Sequence, residues 1–317
     1  MPELENKDKD IMEIFSALAK KSTQIPLTGV VDELYNLLST MPERRQLLLV
    51  LVTVLRHIIR PNYGGLTSSE ADSMFLWARI FDEGVPLDTT LSFHLGEQGC
   101  AATAQSKSQL AQVFDTGTMA RKCDCLFMVK GLEVGNFEEK RSTATNLEVV
   151  SQLRKNIKIN KSVLLELEKY GVECPPLLSI HGNSAIVFRV RRWKQIFVAS
   201  RACPTLVLPT TGDEWPLFLG QQAYVLSNLL DYYQKFSVSC AMSYNLFQYN
   251  ARAALEDHAV LHSPADPATL LEWEKVVLHT PTKPKSIKTM ALPKPPDNAR
   301  FWAKMKDAAR NLEDEEE

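Results

Sequence analysis

No stretch of the 317-residue chain is apolar for long enough to cross a bilayer. The longest run, Leu47 to Leu55, is bracketed by Arg44, Arg45 and Arg56 and falls far short of the roughly 20 residues a spanning helix needs. The opening residues, MPELENKDKD, are charged rather than apolar, so no secretory leader is expected. Cysteine is sparse: six residues, at 100, 123, 125, 174, 203 and 240, lack the dense spacing of a disulfide scaffold. No CxxC pair accompanies the scattered histidines, which argues against a zinc site. There is no glycine-rich phosphate loop and no G-x-S-x-G elbow, so ATPase and serine-hydrolase chemistry have no residues to rest on. The net charge is only −2, so any polyanionic partner must be met by a local patch. A reducing intracellular setting, nucleus or cytoplasm, with no membrane association, is the expectation from these absences.

What is present is an ordinary globular composition, 45% hydrophobic and 23% charged, with no internal repeat. Residues 1–62 read as a helical extension, with segments near 11–19, 28–38 and 42–59. A core of 63–235 follows. It opens with a helix at 68–82, started by Ser68 and Ser69 and expected to bury Phe75, Leu76, Ile80 and Phe81. A strand is expected at 89–95, then a small, polar and partly helical stretch. Strands follow at 122–130 and 132–140. The helix expected at 144–170, with a break near Asn160, has Leu147, Val150, Leu153 and Ile157 in its apolar stripe. Strand-like runs after Pro176 turn at Gly182-Asn183 and Lys194-Gln195, as in an antiparallel extension of a sheet. Residues 236–279 read as a further helical segment. The proline- and charge-rich 280–317 lacks the apolar surface to fold alone.

The hairpin from Arg121 to Arg141 carries the chemistry. Side chains of a strand alternate, so Glu138 and Lys140 are expected to project together, with Glu133, Glu139 and Arg141 on the other face. Asp124 lies on the preceding strand, between Cys123 and Cys125, which read as small buried thiols. Two carboxylates can hold Mg²⁺ (or Mn²⁺) through hard oxygen ligands while leaving it several waters. A neighbouring lysine can polarise the attacking water and add positive charge to the transition state.

Asp124, thirteen intervening residues, then Glu138-x-Lys140 resembles the signature of the PD-(D/E)XK nuclease superfamily. The run from about 65 to 235 is similar to divergent members predicted in quantity from early-diverging fungi. The carrying residues are Gly96-Glu97, Ser106-Lys107, Lys122-Cys123-Asp124 and Glu138-Glu139-Lys140. The superfamily's proline before the aspartate is missing here. The resemblance implies an α/β restriction endonuclease-like core of order αβββαβ, a mixed central sheet flanked by helices. It further implies metal held by Asp124 and Glu138, a third acid at Glu70 or its rival Glu97, and Lys140 as the activator of water. Gln152 matches a glutamine that some subfamilies place near the site. The substrate implied is nucleic acid, DNA before RNA. A second reading keeps the fold without cleavage, as a binding or protein-interaction module recruiting partners through the N-terminal helices or the C-terminal tail.

Arg191, Arg192 and Lys194 around Trp193 form a basic and aromatic stretch suited to a phosphate backbone, and Lys283, Lys285, Lys288 and Lys294 offer the same from the tail.

Overall fold

A computed structural model describes residues 6–59, 69–86, 90–111 and 119–256. The turn expected near residues 62–65, the helical sequence of 257–279, and the tail with Lys283, Lys285, Lys288 and Lys294 lie outside the described residues.

The chain begins with α1 (Asn6–Ser22), α2 (Leu27–Thr40) and α3 (Arg45–Ile59), the last entered through a 3₁₀ turn at Pro42–Arg44. Helix α3 buries every residue from Val50 to Leu55, as its nearly all-round apolar pattern requires. Ile11, Phe15 and Leu18 of α1 and Val30 and Leu34 of α2 join the same hydrophobic cluster as the sheet.

Helix α4 (Glu70–Gly84) starts at a capping box: the Asp72 amide donates to Ser69 Oγ, and the Ser69 amide donates to the Asp72 carboxylate. Its helical period turns Ser73, Met74, Trp77, Ile80, Phe81 and Gly84 inward. Phe75 was expected inside, but it points the other way and is 62% exposed.

Seven strands form a mixed, mostly antiparallel sheet: β1 (Leu91–Cys100), β2 (Arg121–Val129), β3 (Leu132–Lys140), β4 (Leu177–His181), β5 (Ser184–Trp193) and β6 (Ile196–Arg201) in spatial order, with β7 (Leu206–Val207) pairing β5. Only β3 and β4 run parallel, and α6 (Asn146–Glu168) connects them. A short strand was expected at 89–95. Strand β1 continues to Cys100 because a bulge at Gly96 (φ +93°) and Glu97 absorbs the interruption, and pairing resumes at Gln98. Helix α5 (Ala101–Ala111) follows directly, its first amides at Ala101 and Ala102 donating to the Glu133 carboxylate at 2.7 and 2.9 Å. The β2–β3 hairpin closes on Lys130 and Gly131, both at positive φ, the conformation that matches the twist of the flanking strands.

Strand β3 changes partners midway. It pairs β2 up to Cys125↔Phe137 and β4 from Glu138↔Ser179 onward. Beside this fork, buried amides of α6 complete the backbone bonding: Asn160 Oδ1 accepts from the Asn136 amide, and Asn156 Nδ2 donates to the Leu178 carbonyl. This role explains why α6 is unbroken at Asn160 and why its buried face carries Gln152, Asn156 and Asn160 while Leu147 is exposed.

Packed on the sheet is an aromatic cluster. Phe81 lies 5.1–6.0 Å, centroid to centroid, from Phe93, Phe127, Phe137 and Tyr233. Tyr233 belongs to α8 (Ala223–Glu256), which follows α7 (Trp215–Leu217) and a π-helical turn at Phe218–Gln222. Its hydroxyl donates to the Pro176 carbonyl, and Trp77 Nε1 donates to the Gly182 carbonyl at 3.0 Å, so both aromatic poles are satisfied. No described helix is long and apolar enough to cross a membrane.

The α4–α8 contact depends on Gly84, where an added Cβ would lie 2.5 Å from Leu230 Cδ1. Gly84→Ala should therefore lower stability by about 1–3 kcal/mol through overpacking. Gly220→Ala, with nothing within 4 Å, should be neutral or stabilising by up to about 1 kcal/mol. Thermal denaturation of the two variants checks the contrast.

Candidate functional site

The fork in β3 gathers ionisable side chains from five elements, β1, β2, β3, α4 and α6. Asp124, half-buried near the start of β2, turns its carboxylate onto the neighbouring strand, where Oδ2 accepts from the Glu139 amide at 2.9 Å. That bond fixes Asp124 between the two glutamates of β3.

Those glutamates diverge. Glu138 is 2% exposed and turns toward α6: Lys155 Nζ donates to Oε2 at 2.6 Å, and Asn136 Nδ2 donates to Oε1 at 3.2 Å. Glu139 is 1% exposed and lines a cavity of about 290 Å³ together with Asp124, Glu70, Glu97, Met74, Phe75 and Leu95. Neither of its carboxylate oxygens accepts a hydrogen bond of full geometry, although the Ser73 hydroxyl is close enough to act on its charge.

Burial governs the charges here. Glu139 is pushed up to about 8 by desolvation; Ser73 pulls the other way, the carboxylates of Glu70 and Asp124 add to the rise, and Lys140 opposes it. Glu138 is pushed up to about 7 by desolvation and by Asp124, against the pull of Lys155 and Lys140. For Lys155, burial favours loss of the proton, but the bond to Glu138 and the charges of Glu138 and Asp124 outweigh it and raise the value.

The side chains expected from alternation are thus only partly brought together. Asp124 reaches the cavity. Glu138, expected beside it, is instead enclosed by Lys155 and Asn136, and Glu139, expected on the opposite face, occupies the cavity wall. Lys140 Nζ stands 3.3 Å from Glu70 Oε1 at the rim. Both candidates for a third acid line the cavity. Glu70 is paired with Lys140. The fully exposed Glu97 is paired with Lys122, whose hydrogen bond and charge hold it below its ordinary value. Gln152 is in the α6–β4 seam, donating to the Ile180 carbonyl at 3.4 Å, and does not line the cavity.

Arg191, Arg192 and Lys194 are placed at the far end of the sheet. Strand β5 begins next to His181, the partner of Lys140, and runs away, so Arg191 is about 23 Å farther along at 3.3 Å per residue. Arg192 is bonded to Glu168 there, and Lys194 lies over the Trp193 ring. Cys123 and Cys125 are buried free thiols, as expected.

Glu139 and Lys155 escaped the sequence reading. Strict alternation along one ladder hides Glu139, because the strand changes partners at Glu138. Lys155 follows Gln152 by three positions on the same helix, a spacing that places both beside the strands.

Mg²⁺ demands little of the protein, one or two carboxylates with waters and substrate oxygens completing its shell. Asp124 and Glu139 supply two, and the orphaned, buried oxygens of Glu139 suit a cation. Among the described residues no group of three or more His, Cys, Asp or Glu side chains forms a metal-holding cluster.

Both buried glutamates have folded-state values above the ordinary 4.5, so their contribution to stability is fully present below about pH 4.5 and is lost as pH rises through 7 to 8. Glu139→Gln should leave stability nearly unchanged at pH 5 and raise it by about 2–4 kcal/mol at pH 8.5, read from denaturant midpoints across that range. Comparison of the chain with family models, curated proteins and solved structures finds no match.

Proposed function

We propose that this protein is a metal-dependent hydrolase of nucleic-acid phosphodiester bonds, with Asp124 and Glu139 as the acids that hold Mg²⁺ or Mn²⁺. The observation that carries the reading is Glu139, whose buried carboxylate oxygens accept no hydrogen bond of full geometry and which lines a cavity together with Asp124 and Glu70. A buried carboxylate without a partner is costly, and a bound cation removes that cost.

The element order supports a restriction endonuclease-like core: α4, β1, β2, β3, α6, β4, with α5 inserted between β1 and β2. In that frame Asp124 and the Glu-x-Lys strand are neighbours, as the resemblance implies. The bound ion would neutralise charge on the phosphate and lower the pKa of a water. The protein's own groups do the rest. The Glu139 amide holds Asp124 in place. Lys140, at the rim and one-third exposed, is positioned to orient a water and to offset charge at the scissile phosphate once substrate competes for its Glu70 partner. Lys155 keeps Glu138 satisfied, so that Glu138 supports the strand end rather than ligating metal. DNA is the first substrate by resemblance, and six unpaired cysteines suit a reducing nuclear or cytoplasmic setting.

The enclosure of Glu138 by Lys155 and Asn136 favours a second reading, in which the same fold binds nucleic acid or a protein without cleaving. Cleavage assays separate the two. Purified protein with Mg²⁺ or Mn²⁺ should hydrolyse single- or double-stranded nucleic acid. Asp124→Ala and Glu139→Gln should each lose at least about 100-fold, and Lys140→Ala a comparable factor. Glu138→Gln should retain more activity than Glu139→Gln. Equal rates for the wild type and all variants remove the hydrolase assignment.

A further inference from the structure

A second cavity adjoins the acidic one. It is larger, about 420 Å³, and lies between α3 and α4, with Arg56 and His57 from α3 and Asp72, Phe75 and Arg79 from α4 in its wall. Its charge is of the opposite kind. Arg79 is exposed, and its closest acid, Glu83, is 3.9 Å away, at the limit of an ion pair. Arg56 is exposed and lies 5.4 Å from the centre of the Tyr35 ring, a contact that leaves guanidinium donors for another acceptor. The cavity's one acid, Asp72, is turned back on the helix cap, where its Oδ2 accepts from both the amide and the hydroxyl of Ser69.

Phe75 belongs to both cavities. At 62% exposure it is the largest apolar surface on α4 facing solvent, on a wall shared by two guanidiniums on one side and by Asp124 and Glu139 on the other. The two cavities lie on neighbouring faces of the helix, and Phe75 stands between them. An aromatic face beside guanidiniums is how proteins hold an unstacked base and its backbone, because every base has a π-face and every linkage a negative charge. A duplex keeps its base faces covered and cannot use Phe75 in this way.

We propose that the α3–α4 cavity is a phosphate-binding subsite for single-stranded nucleic acid. Arg56 and Arg79 take a backbone phosphate, and Phe75 stacks the base adjoining the linkage presented to Asp124 and Glu139. The subsite rests on the hydrolase reading for its orientation, and its binding is measurable without metal or turnover.

The test is fluorescence anisotropy of a labelled single-stranded oligonucleotide, and of the same sequence as duplex, with the full chain in EDTA across a salt series. Arg56→Gln/Arg79→Gln should weaken single-strand binding at least about tenfold and reduce the slope of log K against log salt by about 1–2. Phe75→Ala should weaken it about 5- to 100-fold, with little change for the duplex. Lys235→Gln, on α8 and outside the walls of both cavities, should match the wild type. All four substituted residues are exposed, and unchanged melting temperatures confirm intact folds. No single-strand binding by the wild type, or wild-type affinity and salt slope in the double-arginine variant, overturns the subsite. Loss of binding in that variant without metal-dependent cleavage by the wild type keeps the subsite and removes the hydrolase reading. Cleavage with undiminished binding by the variant does the reverse.

Discussion

Between Phe137 and Glu138 the central strand leaves one neighbour and joins another, and the chemistry of the molecule follows from that exchange. A strand inside a continuous ladder has its amides and carbonyls committed on both sides. At a fork they must be met by side chains, since unpaired buried peptide groups cost about as much as a lost hydrogen bond. Here Asp124 meets the Glu139 amide, Asn160 the Asn136 amide, and Asn156 the Leu178 carbonyl. The same opening admits the Glu138 and Glu139 side chains into the interior, one to a lysine and the other to a cavity.

Charge and packing constrain each other at this point. The Phe81, Phe127, Phe137 and Tyr233 cluster lies immediately behind the fork, and Trp77 is anchored to the turn after β4. Those rings keep the local dielectric low, which is why desolvation leads the upward shifts of both glutamates. A water-filled end of the sheet would let the acids ionise without a counter-charge. A dry one favours the protonated form of Glu139.

Much of this architecture was legible from periodicity. Strand 132–140 was read to the residue, as was the turn at Gly182-Asn183, because alternation and turn residues agree there. The antiparallel run after Pro176 emerged from the same patterns, whereas the mixed α/β class was an implication of the resemblance. What failed had local physical causes. A bulge lengthened β1 through residues that read as a loop, and Phe75 was assigned to the core by hydrophobicity rather than by helical angle. Asn160 looked like a helix breaker because its amide competes with backbone bonding in isolation, whereas in the fold that competition is what stitches β3 to α6. Of the residues named from the sequence and the resemblance, Asp124, Glu70 and Glu97 line one cavity and Lys140 pairs with Glu70 beside it. That Glu139 rather than Glu138 shares this cavity was not legible, since alternation along one hairpin carries no information about a strand that changes partners.

The central claim is that Asp124 and Glu139 together hold a divalent cation, and that Glu139 is protonated before the cation arrives. Calorimetric titration with Mn²⁺ at pH 7, in two buffers of different ionisation enthalpy, tests both parts at once. Binding at one site with release of close to one proton, lost in Asp124→Ala and without proton release in Glu139→Gln, is the expected result. Binding that releases no proton, or that survives both substitutions unchanged, contradicts it.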